Sequence, residues 1–114
     1  GHTLELARGA GLTCIIDWAR VPLIDGVREL ASKGAVTGAS GRNWAGYGRD
    51  VDLPEGFGDI DRALLTDPQT SGGLLVSCTP DAVDGVLGLF RREGFAHASV
   101  IGRVEAGAAR LAVR

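Results

Sequence analysis

The sequence predicts an α/β (α+β) two-layer sandwich: roughly a four-stranded mixed sheet with helices packed on it. Three observations carry this expectation. Short apolar runs, several rich in β-branched residues, alternate with segments of helical spacing. Hydrophobic residues make up 45% of the chain, enough for a core. The 114 residues suit one domain, and a chain of this size buries roughly two-thirds of its unfolded surface.

Residues 1–9, GHTLELARG, read as the end of a helix, with Leu4 and Ala7 on one face and Gly9 as a stop. No N-cap opens that helix, so its beginning is expected upstream and the chain is expected to be part of a longer one. Residues 12–17, LTCIID, read as a buried strand. After Pro22, residues 24–33 place Val27, Leu30 and Ala31 on one helical face, and Gly34 ends the run. Residues 34–58 hold seven glycines and little periodicity. They read as a long irregular segment, either functional or a mobile surface loop. Residues 58–67, GDIDRALLTD, read as a short helix. Residues 73–78, GLLVSC, read as a strand. Thr79 is expected to cap the next helix, with Pro80 at its first position and Asp81 in its positive first turn. Val83, Val86, Leu87 and Phe90 form that helix's apolar stripe, Arg91 and Arg92 suit its last turn, and Gly94 ends it. SVIGRVE (99–105) and ARLAV (109–113) then read as two strands joined by a small Gly-Ala turn.

Bulk properties narrow the function. The net charge is -2, with acids and bases interspersed, so nothing resembles the basic stripe of a nucleic-acid binder. No apolar run approaches a membrane span and no secretory signal opens the chain. No membrane partner is expected, and a cytoplasmic location is. Cys14 and Cys78 each lie in an apolar segment and read as buried free thiols. His2 and His97 are too isolated to form a metal site with them.

The segment LLTDPQTSGGLLVSC, residues 64–78, interrupts two apolar runs with a compact polar insert. Pro68 biases Asp67 away from helical backbone, so the preceding helix should end there and the carboxylate should project from a turn. Gln69, Thr70 and Ser71 supply donors and acceptors, and Gly72 and Gly73 allow close backbone approach. A plain helix-to-strand turn with local hydrogen bonds is one reading. A phosphate-binding P-loop is excluded, because no GxxxxGK[ST] is present and the glycines lead into an apolar run. A metal or phosphate contact is the other, with Asp67 as a hard oxygen ligand. Magnesium takes one or two carboxylates plus phosphate oxygens and water, so the remaining ligands would lie elsewhere.

DPQTSGGLL closely resembles the motif of the C-terminal domain of the selenophosphate synthetase (selenide, water dikinase) family. GHTLELARGAGLTCIIDWARVPL is similar to that family's GH..EMA...G...EID...VPL segment, and GRNWAGYG to its RN segment. Order and spacing agree across nearly the whole chain. The resemblance implies an aminoimidazole ribonucleotide synthetase-like C-terminal domain, with residues 1–114 forming a single domain and an N-terminal ATP-binding domain absent. It implies a parent reaction in which ATP, selenide and water become selenophosphate, AMP and phosphate. It implies Mg²⁺ and ATP as cofactors of the full-length enzyme, the chain's own N-terminal domain as partner, and a homodimer when full-length. By the same resemblance Asp67 completes the metal set, while the catalytic Cys or selenocysteine and Lys belong to the missing half. Cys14, Cys78 and Lys33 match neither, so the isolated chain is expected to be inactive.

Thr70, Ser71, Arg42 and Asn43 are candidate phosphate or substrate contacts, a guanidinium matching phosphate in bidentate fashion. His2 resembles the family's Gly-His pair, or packs, or is a tag remnant. Trp18 and Trp44 read as packing residues. Asp50, Asp52, Glu55 and Asp59 read as a solvated acidic surface, since their spacing matches no calcium loop. Two alternatives stand: the C-terminal domain of another aminoimidazole ribonucleotide synthetase-like ATP-using enzyme, and a non-catalytic α/β binding or interaction domain.

Overall fold

The computed structural model describes all 114 residues. Helix α1 (His2–Ala10) ends where Gly11 turns left-handed at φ 66°, two residues beyond Gly9. Strand β1 (Thr13–Ile16) follows, then a single 3-10 turn at Trp18–Arg20. Helix α2 (Val27–Ser32) lies between Gly26 and Gly34, both at positive φ. Such backbone is nearly free only for glycine.

Residues 34–58 are not irregular. They form helix α3 (Gly38–Tyr47), a 3-10 turn at Gly48–Asp50 and strand β2 (Val51–Asp52). The Thr37 hydroxyl caps α3 by accepting the Ser40 amide at 3.3 Å. Glycines inside a helix cost about 1 kcal/mol each, which is why the segment lacks a helical signature. The packing of Trp44 and Tyr47 on the core outweighs that cost. Helix α4 (Asp59–Leu65) matches the expected short helix. Helix α5 (Val83–Arg92) starts after a 3-10 turn at Pro80–Ala82. Thr79 therefore flanks that turn and does not cap the helix. Its hydroxyl bonds Asp81 instead, which lowers the Asp81 pKa.

Strands β3 (Gly102–Glu105) and β4 (Leu111–Val113) complete a mixed sheet in the order β2-β4-β1-β3. β1 runs antiparallel to β3 and parallel to β4, with Cys14 opposite both Val104 and Leu111. β2 runs parallel to β4. β3 and β4 are consecutive in the chain, yet β1 lies between them. Their connection passes the start of β1, where the Thr13 hydroxyl donates to the Ala108 carbonyl at 2.7 Å.

Residues 73–78 are not a strand. They are exposed and pair with no neighbour. The sheet order leaves the outer edges of β2 and β3 open, and residues 73–78 pair with neither. An apolar run alone does not show whether its backbone comes alongside a partner strand. Cys78 accordingly lies exposed, whereas Cys14 is buried as expected.

Because side chains alternate along a strand, Cys14, Ile16, Leu111 and Val113 share one face, with Val51 beside Leu111. Leu4 and Ala7 of α1 cover that face, and Trp18, Trp44, Tyr47, Phe57 and Leu65 pack around them. This is the two-layer arrangement, and it fixes α3 and the end of α4 against the sheet. On the β2 edge, Arg110 donates to both oxygens of Asp52, at 2.7 and 3.3 Å. That contact holds the Asp52 carboxyl below its usual range. Asp50 pairs with Arg8 at 2.5 Å and Asp59 with Arg62 at 2.8 Å. These three acids are partnered, not merely solvated.

Candidate functional site

The site is built on the exit of α4. The helix closes with Thr66 buried, its amide bonded to the Arg62 carbonyl at 3.1 Å. The Thr66 hydroxyl donates back to the same carbonyl at 2.8 Å, a common use of threonine at a helix end. The Asp67 amide reaches the Leu64 carbonyl at 3.3 Å. Pro68 then stops the helix. Asp67 is half-buried, and Pro68, Gln69, Thr70 and Ser71 are exposed.

Gln69 Nε2 donates to Asp67 Oδ2 at 2.6 Å, and Asp67 Oδ1 accepts from no protein group. The turn is tight. A Cβ placed on Gly72 would lie 2.8 Å from the Gln69 Cβ, so a larger residue would push Gln69 from its place.

Helix α3 braces this turn from behind. Asn43 Nδ2 donates to the Thr66 carbonyl at 2.9 Å, and the buried Ser40 donates to the Ala63 carbonyl at 3.1 Å. Arg42 is exposed, and its two-residue offset from Ser40 turns it to the outward side of α3. The structure thus brings Asp67, Thr70, Ser71 and Asn43 to one turn and leaves Arg42 outside it. Ser40 and Thr66 carry no motif signal and were not singled out by the sequence. A threonine one residue before Asp-Pro at a helix end is the one local cue for Thr66. Arg62 stacks over Trp44, its guanidinium 5.6 Å from the ring centroid, and so ties α4 to α3.

The cavity beneath the turn, lined by Tyr47, Leu65 and Thr66 among others, measures about 40 Å³. That is room for about one water, far from a nucleotide. No group of three or more His, Cys, Asp or Glu side chains comes together to hold a metal. Asp67 offers one hard carboxylate oxygen free of protein partners on an exposed turn. This suits a single contribution to a magnesium–phosphate site and not a complete cage. The remaining candidate groups are engaged elsewhere. Burial pushes the Cys14 thiol up, which keeps it protonated. Lys33 pairs with Glu29 at 2.5 Å on α2. No helix is long and apolar enough to cross a membrane.

Comparison with known proteins identifies the family. Residues 1–113 match the model of the AIR synthase related protein, C-terminal domain. The chain is 60% identical over 113 residues to the selenide, water dikinase of Pseudomonas straminea. It is 58% identical over 113 residues to that of Burkholderia pseudomallei, and 45% identical over 113 residues to that of Rhizobium meliloti. In each case 99% of this chain and 32% of the relative are covered. The chain therefore spans about a third of the length of the curated relatives it matches.

Proposed function

Since the chain belongs to the AIR synthase related protein C-terminal domain family, we propose that it is the C-terminal domain of a selenide, water dikinase, a cytoplasmic enzyme forming selenophosphate, AMP and phosphate from ATP, selenide and water. The observation that carries the reading is the DPQTSGG turn, which presents Asp67 with an unpaired carboxylate oxygen at the end of α4. Identity of 58% and 60% to proteins of that name, over 99% of this chain and 32% of each relative, supports it. In this reading the chain owns part of an active site. The ATP-binding half and the catalytic Cys or selenocysteine and Lys lie in the other two-thirds of a parent chain that acts as a homodimer.

Phosphoryl transfer depends on neutralising charge on the polyphosphate oxygens and on holding the nucleophile in line. Magnesium, when bound, supplies that neutralisation. Asp67 would hold it from this side, so its grip depends on how the two domains pack. Gln69 keeps one Asp67 oxygen occupied and leaves the other for a metal ion. Thr70 and Ser71, exposed beside it, would donate their hydroxyls to phosphate oxygens or to water.

The test uses the full-length parent chain with ATP, Mg²⁺ and selenide under reducing conditions, with products followed by phosphorus NMR. Selenophosphate with AMP and phosphate is expected. Asp67→Asn should lower turnover about 100-fold or more while circular dichroism stays unchanged. The 114-residue chain alone should consume no ATP. ATP left intact by a folded parent chain would move the assignment to another ATP-using member of the superfamily. Wild-type turnover by Asp67→Asn would remove this aspartate from the metal site.

A further inference from the structure

We infer that Ser40 and Asn43 of α3 act as a two-point clamp that positions Asp67, with Asn43 the residue that sets the carboxylate's place. The inference rests on the reading of Asp67 as a metal-binding carboxylate.

The argument begins with a missing donor. A helix end leaves carbonyls unpaired. The common closure takes two amides from beyond the helix. The first residue past the cap bonds the second-last helical carbonyl, and the next bonds the third-last. Here the first of these is made, by the Asp67 amide on the Leu64 carbonyl at 3.3 Å. No backbone amide reaches the Ala63 carbonyl, because Pro68 has no N–H and Asp67 does not adopt the left-handed backbone that such a closure uses. Two hydroxyls reach that carbonyl instead, Ser40 of α3 at 3.1 Å and, more distantly, Thr66 at 3.4 Å. One helical turn along α3, Asn43 donates to the Thr66 carbonyl at 2.9 Å.

That second bond lies on the peptide joining Thr66 to Asp67, so it fixes the plane from which the Asp67 side chain departs. Ser40 is buried and Asn43 half-buried, so water competes weakly for either bond. One of the two Asn43 amide hydrogens is held by backbone, which gives the residue a role different from the phosphate contact its sequence position suggests. The turn that presents Asp67 thus leaves the Ala63 and Thr66 carbonyls without a backbone amide. The neighbouring helix supplies a donor to each, with the residue spacing that puts both side chains on one face.

The experiment uses the full-length parent chain and Mn²⁺ as a spectroscopic probe. Its binding is measured by electron paramagnetic resonance, alone and with a non-hydrolysable ATP analogue. Asn43→Ala and Asn43→Asp should each weaken Mn²⁺ about tenfold in both conditions. Asn43→Gln, which keeps a donor, should recover part of that loss. Ser40→Ala should move Mn²⁺ affinity in the same direction by a smaller factor, and it keeps the test open if an Asn43 variant does not fold. Affinity within twofold of wild type in folded Asn43→Ala, while Asp67→Asn loses Mn²⁺, would overturn the clamp and leave the metal reading standing. Loss only when the analogue is present would also overturn it, since that is the behaviour of a phosphate contact. Unchanged Mn²⁺ binding in Asp67→Asn would overturn both readings together.

Discussion

Gly102 sits where β3 comes closest to β1. A Cβ at this position would stand 1.9 Å from the Ile15 carbonyl oxygen and 3.1 Å from the Ile16 Cα. Backbone cannot rotate away as a side chain can, so Gly102→Ala must push the two strands apart. Overpacking of this kind costs about 1–3 kcal/mol. Gly41, by contrast, lies inside α3 with nothing within 4 Å of where a Cβ would go. Gly41→Ala should stabilise by about 0.5–1 kcal/mol, because alanine loses less backbone freedom in a helix. Urea unfolding of the two variants should therefore move the midpoint in opposite directions. A Gly102→Ala variant as stable as wild type would mean that β3 is not held this closely to β1.

At the scale of elements, α1 shows how burial sorts residues that look alike. Leu4 is 1% exposed and Leu6 38%. Leu4→Ala should cost about 2–4 kcal/mol and Leu6→Ala less than about 1 kcal/mol, read by thermal or urea unfolding. Equal losses would contradict the face that α1 turns to the sheet. The periodicity of Leu4 and Ala7 made that face legible in the sequence, and β-branching did the same for β1. The exit of α4 was legible for a local reason. Pro68 forbids helix continuation whatever surrounds it, so the turn and the projection of Asp67 follow from two adjacent residues. The rest depended on long-range contacts. α3 is rich in glycine and gains its stability from packing Trp44 and Tyr47, which no local rule reports. β2 is two residues long and exists only because β4 lies beside it. Residues 73–78 have strand composition, but the structure gives them no partner, and composition does not count partners. The bracing of the Asp67 turn was hidden for the same reason: Ser40 and Asn43 are 23 residues from the carbonyls they bond.

Across the whole molecule the core is small for the chain length, with 12 of 114 residues buried. The Cα radius of gyration is 14.6 Å, above the roughly 13 Å expected of a compact chain of this length. The excess matches the exposed 73–78 segment and α5, none of whose residues is buried. Leu74 is 82% exposed, and Leu75, Val76, Leu89 and Phe95 are exposed as well. Leu74 and Leu75 also border an open groove against α1 beside His2, Glu5 and Leu6. Exposed apolar side chains in this number favour association in water, so the 114-residue chain taken alone should not stay monomeric. Sedimentation equilibrium should give an average mass that rises with concentration above the 11.8 kDa of one chain. Replacing Leu74 and Val76 together by lysine should return the mass to that of one chain, and circular dichroism should not change, because neither side chain supports the core. A wild-type mass fixed at one chain up to millimolar concentration would show that this surface does not drive association. A double variant that still self-associates would place the contact elsewhere, with the exposed Leu30 on α2 and Ile24 just before it the next residues to charge.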